Sequence, residues 1–254
     1  MSTRSIIAAG NWKLNKTPAE TRSTIIGLRN KLAGISGRAE VIVFPPFVSL
    51  ETAVDAARET NVRIGAQNVY WEAGGAFTGE VSVGMLEAVG VTHVLLGHSE
   101  RRTLFGETDE SVARRLGAVL DGSLTPVVCV GEVLAERESG ATADVLARQV
   151  REALKDVAPD HVGRIIVAYE PVWAIGTGKT ATPEIANEAH TLIRNVVADM
   201  FGRSAADGMS ILYGGSVKPE NTASLMAESE VDGVLVGGAS LDAGSFAEIV
   251  RAAG

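Results

Sequence analysis

"RIIVAYEPVWAIGTGKTATPEIANEAHTLIRNVVADMFG" (residues 164–202) holds one complete strand-and-helix unit. Its first seven residues form an almost unbroken apolar run, as expected of a strand buried on both faces. The run ends on a carboxylate, Glu170, and Pro171 forbids simple continuation. After a loop rich in glycine, Thr182 is a helix N-cap with Pro183 at the first helical position, and Gly202 closes the helix. The same device recurs at residues 17–34, where Thr17 and Pro18 open a helix and Gly34 ends it.

Working outward, strands are predicted near residues 6–11, 39–46, 62–68, 91–97, 125–131, 210–215 and 231–238, with helical stretches between them. Strict alternation of strand and helix implies a parallel sheet covered by helices. With the run at 164–170 the units number eight, which suits a closed, all-parallel (β/α)8 barrel spanning residues 1–254 as a single domain. The competing architecture is an open doubly wound sheet. Its dinucleotide fingerprint, G-x-G-x-x-G after the first strand, is missing, and "AAGNWKLN" stands there instead.

Composition narrows the function. The chain has 254 residues, 46% hydrophobic, with a formal net charge of −8 and no long basic run. Non-specific affinity for nucleic acid or anionic membranes is excluded on that basis. A single cysteine, Cys129, rules out an internal disulfide and suits a reducing, cytoplasmic setting. No leader and no bilayer-spanning run is evident. No His, Cys, Asp and Glu spacing resembles a metal site, so no metal is expected.

In an eight-stranded barrel, chemistry gathers at the C-terminal ends of the strands. Those ends carry Asn11 and Lys13, Asn68, His98, Glu170, Ser216, and Gly237 with Gly238. A lysine at a strand end is ordinarily just solvated, but beside so many polar neighbours Lys13 reads as a fixed cation for an anionic substrate. His98 precedes Ser99 and Glu100 at a helix start, whose positive end disfavours a protonated ring. Glu170 is a candidate general base. The loop beyond it ends in Gly178-Lys179-Thr180 and resembles a nucleotide loop. A Walker loop needs a glycine five positions before its last glycine, and that position is Trp173. The loop reads instead as a lid, because Trp173, Ala174 and Ile175 form an apolar patch that needs somewhere to dock. The glycine pairs in "YGGSV" (213–217) and "VGGAS" (236–240) allow close backbone approach to a phosphate.

Together the motifs "GNWKLN", "AQNVYWEAGGAFTGE", "GHSERR", "YEPVWAIGTGKTATPE", "YGGSVKPEN" and "DGVLVGGASL" resemble the triosephosphate isomerase family from end to end. The resemblance implies a TIM barrel that interconverts dihydroxyacetone phosphate and D-glyceraldehyde 3-phosphate without a cofactor. It implies Glu170 as the base, His98 as the neutral electrophile, Lys13 as the stabilising cation and Asn11 as a substrate-orienting group. Glu100 matches an acid close to the lysine. Gly176, Ser216, Gly237 and Gly238 match positions whose N–H groups grip the phosphate. Pro171, Val172, Trp173, Ala174, Ile175, Gly176, Thr177, Gly178 and Lys179 match the mobile lid. It also implies a homodimer, with Thr78 reaching toward the partner's site and Glu80 pairing with Arg101 across the interface. Leu14 departs from the methionine common at its position, and residues 82–85 lack a frequent proline. Two rivals are another barrel enzyme acting on a sugar phosphate and a catalytically silent binding protein. Either gives less reason for Lys13, His98 and Glu170 to stand together with the lid.

Overall fold

The computed structural model describes residues 4–34, 39–175 and 180–254. Eight strands form a closed ring in chain order: β1 (Ile7–Asn11), β2 (Glu40–Phe44), β3 (Val62–Ala66), β4 (His93–Leu96), β5 (Thr125–Val130), β6 (Ile166–Tyr169), β7 (Ile211–Tyr213) and β8 (Gly233–Val236). All neighbours pair in parallel, and β8 returns to β1 with Gly233 opposite Ile7. The fold is the expected closed barrel, not the open sheet.

Helices α1 (Pro18–Leu32), α2 (Leu50–Ala57) and α3 (Val83–Val89) follow the first three strands, and α4 (Ser99–Phe105) with α5 (Asp109–Leu120) follow the fourth. The second half carries α6 (Leu134–Glu138), α7 (Thr142–Leu154), α8 (Pro183–Phe201), α9 (Arg203–Gly208), α10 (Pro219–Met226) and α11 (Ala243–Ala253). The predicted starts are in place. Thr17 and Glu20 form a reciprocal capping box at α1, and Thr182 accepts from the Ile185 N–H at α8. Such caps are each worth about 1 kcal/mol because they satisfy N–H groups that have no intrahelical acceptor. Among the described residues no helix is long and apolar enough to cross a membrane.

Two apolar clusters follow from the two faces of each strand. Ile7, Ala9, Ile42, Phe44, Leu95, Val127, Cys129, Ile166, Ala168, Leu212 and Leu235 fill the barrel interior. The alternate residues, such as Ala8, Val41, Val43 and Val94, pack beneath the helices in the larger cluster. Gly65 makes the interior possible, since a Cβ there would lie 2.2 Å from the Phe44 ring. The packed interior lets chemistry reach the barrel only from its ends.

Candidate active site

A cavity of 480 Å³ opens at the C-terminal end of the barrel, lined by Asn11, Lys13, His98, Glu100, Glu170, Ser216, Gly237 and Gly238 among others. The polar strand ends picked from the sequence therefore converge on one place, except Asn68, which is buried and is not part of the lining.

Lys13 has a φ of 51°, a left-handed conformation unusual for a residue with a side chain. Holding it there costs about 1–3 kcal/mol and requires outside support. The Asn11 side-chain oxygen accepts from the Lys13 N–H at 2.9 Å, and Gln67 donates to the Lys13 carbonyl at 2.8 Å and to the Phe44 carbonyl at 2.9 Å. The ammonium is thereby turned into the cavity, 2.6 Å from Glu100 Oε1. Trp12, buried under the loop, donates its indole N–H to the Ser240 carbonyl at 3.0 Å and ties the first strand end to the last.

Gly97 also has a positive φ, 66°, and a Cβ there would strike Val112 at 2.6 Å. This turn seats His98 as the N-cap of α4, where its Nδ1 accepts from the Glu100 N–H at 3.2 Å. A proton on the neutral ring accordingly sits on Nε2, which lies 2.9 Å from Glu170 Oε1. The other carboxylate oxygen, Oε2, accepts from the Ser99 N–H at 2.8 Å. Both oxygens of the candidate base are thus engaged.

Burial favours the neutral form of Glu170, but the charge and hydrogen bond of His98, the Ser99 N–H and Lys13 outweigh it. They hold the carboxyl below the ordinary glutamate value. For His98, burial pulls the pKa down, while the attraction and hydrogen bond of Glu170 prevail and raise it above the usual imidazole value. The helix start alone suggested an unprotonated ring. The structure adds a facing carboxylate that opposes this for as long as it stays there.

The root of the loop after β6 is docked. Val172, Trp173 and Ala174 form a short 3-10 turn, Ala174 is buried, and the Trp173 indole donates to Glu132 Oε1 at 2.8 Å. The same oxygen lies 3.1 Å from the Tyr169 hydroxyl and 3.2 Å from Arg137, whose guanidinium stacks over the Trp173 ring. Gly176, Thr177, Gly178 and Lys179 lie outside the described residues. Thr78 and Glu80 are exposed on the long loop after β3, and Arg101 is 2.5 Å from its own chain's Glu107.

Ser99, Gln67 and Glu132 were not singled out from the sequence. Ser99 acts through its main chain, which no residue type reports. Gln67 and Glu132 act on residues far away in sequence. Among the described residues no group of three His, Cys, Asp or Glu side chains is placed to hold a metal ion.

The triosephosphate isomerase family profile matches residues 6–253. The chain belongs to the triosephosphate isomerase family. It is 56% identical over 248 residues to the triosephosphate isomerase of Solibacter usitatus, covering 98% of this chain and 99% of that one. It is 54% identical over 245 residues to that of Moorella thermoacetica, covering 96% and 97%. The triosephosphate isomerase of Caldanaerobacter subterraneus is 51% identical over 245 residues, covering 96% and 98%. Against that family background, the buried Glu170–His98 pair with Lys13 beside it is an arrangement suited to moving protons next to a carbonyl.

Proposed function

We infer that this chain interconverts dihydroxyacetone phosphate and D-glyceraldehyde 3-phosphate by proton transfer between adjacent carbons through an enediolate. The observation that carries this reading is the 2.9 Å approach of Glu170 to His98 inside the cavity that also holds the Lys13 ammonium. The phosphate rests against Ser216 and the Gly237–Gly238 turn. There a 3-10 turn begins at Gly238, so its first N–H groups lack intrahelical acceptors. Asn11 and Lys13 orient the triose, and Lys13 balances the negative charge that develops on its oxygens.

Glu170 first leaves His98 and Ser99, because both of its oxygens are occupied there. Its carboxylate then takes a proton from the carbon beside the carbonyl while His98 Nε2–H donates toward the carbonyl oxygen. The enediolate forms, and Glu170 returns the proton to the neighbouring carbon. Once the carboxylate has turned away, the influence that raises the His98 pKa is gone and the ring acts as a neutral donor. Glu100 holds Lys13 in place through the 2.6 Å contact. The segment 171–179 serves as the lid that excludes water from the intermediate.

Two copies assemble in a cytoplasmic homodimer. Leu14, Val48, Phe77, Met85, Leu104 and Phe105 are exposed apolar side chains on the loops and helices that follow β1 to β4, which are neighbours in the ring. A face of this kind beside a catalytic mouth supports association. In the dimer Thr78 reaches the partner's site and Glu80 pairs with Arg101.

A coupled assay of isomerisation tests the reading. Wild type turns over rapidly, and Glu170→Gln lowers kcat by about 10²–10⁴-fold. Turnover that survives the change removes Glu170 as the base. Folded wild type without turnover returns the chain to a silent phosphate-binding role.

A further inference from the structure

The barrel has a second opening at its N-terminal end, and its lining differs from the apolar interior above it. A cavity of 610 Å³ lies there, larger than the one at the catalytic mouth. Strand register says which side chains enter it. Ile42 faces inward and pairs with Arg63, and Leu95 and Val127 face inward two residues beyond the paired His93 and Thr125. Arg63, His93 and Thr125 therefore point into the barrel axis, with Glu40 two residues below Ile42. Long charged side chains inside a barrel need a reason, since the same positions one layer higher are all apolar.

We propose that this N-terminal mouth is a second binding site, taking a small oxyanion, a carboxylate or a phosphate monoester, on the Arg63 guanidinium. Arg63 is exposed to the cavity and has no hydrogen-bond or ion-pair partner among the described residues. A free guanidinium presents a planar fork of donors that matches two oxygens at once. The second guanidinium of the rim, Arg164, is held by backbone carbonyls through both of its terminal nitrogens. It donates to the Leu120, Gly122 and Leu124 carbonyls, at 2.9, 2.7 and 3.3 Å, so it adds positive charge without competing for the ligand.

The rim's carboxylate, Glu40, lies 3.6 Å from His93 Nε2 rather than on Arg63. Burial, together with the Arg63 charge, lowers the His93 pKa to about 4, so near neutral pH this ring is an uncharged hydrogen-bonding group. Among the residues that line the cavity two guanidinium groups stand with one carboxylate, and the Glu87 carboxylate at the rim is occupied by the Ser123 N–H and hydroxyl at 2.7 and 2.8 Å. Glu40 stands where it repels the ligand and so weakens binding.

Isothermal titration with inorganic phosphate tests the site, because the two mouths report separately. Wild type is expected to bind two phosphates per chain. Competitive inhibition of the isomerase reports the catalytic mouth and is expected to be unchanged in every variant below. Arg63→Leu is expected to lose one equivalent. Glu40→Gln is expected to keep both and to bind the second severalfold more tightly, a gain that a misfolded variant does not produce. Both variants retain wild-type kcat, since they lie at the opposite end of the barrel from Glu170. A single equivalent in wild type, or a second equivalent that persists in Arg63→Leu, overturns the proposal. Failure of the catalytic reading shows differently, as loss of inhibition by phosphate with the second equivalent intact.

Discussion

At the scale of single residues, the site works by holding groups in conformations they do not choose. Lys13 is kept left-handed by Asn11 and Gln67, and Glu170 is kept ionised in a buried place by His98 and the Ser99 N–H. The pair is mutual, and its sign can be worked through. Glu170, with its pKa lowered, adds stability above the ordinary value of 4.5 and loses it as pH falls through the folded value. His98, with its pKa raised, adds stability below 6.5 and loses it as pH rises through the folded value. The pair thus contributes most between pH 4.5 and 6.5. Glu170→Gln removes the charge that raises His98, so the imidazole titration followed by NMR is expected to move to lower pH. An unmoved midpoint means that Glu170 does not set the histidine's charge state. Lys13, His98 and Glu170 stood out in the sequence because each lies within two residues of the end of an apolar strand. Gln67 was not, because its worth lies in two carbonyls from other segments.

At the scale of elements, the root of the loop after β6 is built as a latch. Glu132 is fully buried, and one of its oxygens gathers the Trp173 indole, the Tyr169 hydroxyl and Arg137. Its main-chain carbonyl also accepts from the Val172 N–H at 3.1 Å. Glu132→Gln keeps the shape but removes the charge that strengthens these bonds, and is expected to lower stability by about 1–3 kcal/mol in urea titration. The Trp173 indole N–H resonance is expected to move upfield as its acceptor weakens. An indole resonance that stays in place rules out the Glu132 contact in solution. Strand positions were readable to within a few residues because parallel strands buried on both faces are nearly all apolar. The 3-10 turn at residues 172–174 was not, since its shape follows from where the tryptophan docks. The caps at Thr17 and Thr182 were readable because they are purely local.

At the scale of the whole molecule, the loops and helices that follow the first four strands carry apolar side chains that a lone chain leaves in water. Leu14 is 96% exposed and Leu104 72%. The homodimer reading predicts that wild type sediments as a dimer, whereas Leu104→Glu shifts the equilibrium toward monomer and lowers activity. Wild type sedimenting as a monomer at micromolar concentration removes the reading. Eight strands and their order were implied by eight apolar runs. The homodimer expectation, with Thr78, Glu80 and Arg101, came only from family resemblance, and the exposed Leu and Phe were not singled out because such residues look like core residues until a structure shows them outside. The ring closes between its most distant parts: the Ile7 N–H donates to the Asp232 carbonyl, Arg4 contacts Asp232 at 2.6 Å, and Trp12 reaches Ser240. During synthesis on the ribosome, Lys13 emerges early but the wall opposite it appears only with residues 237–240. A nascent chain therefore carries Lys13 long before it has a pocket, and the mouth that joins Lys13 to His98 and Glu170 forms only once translation has passed the eighth strand.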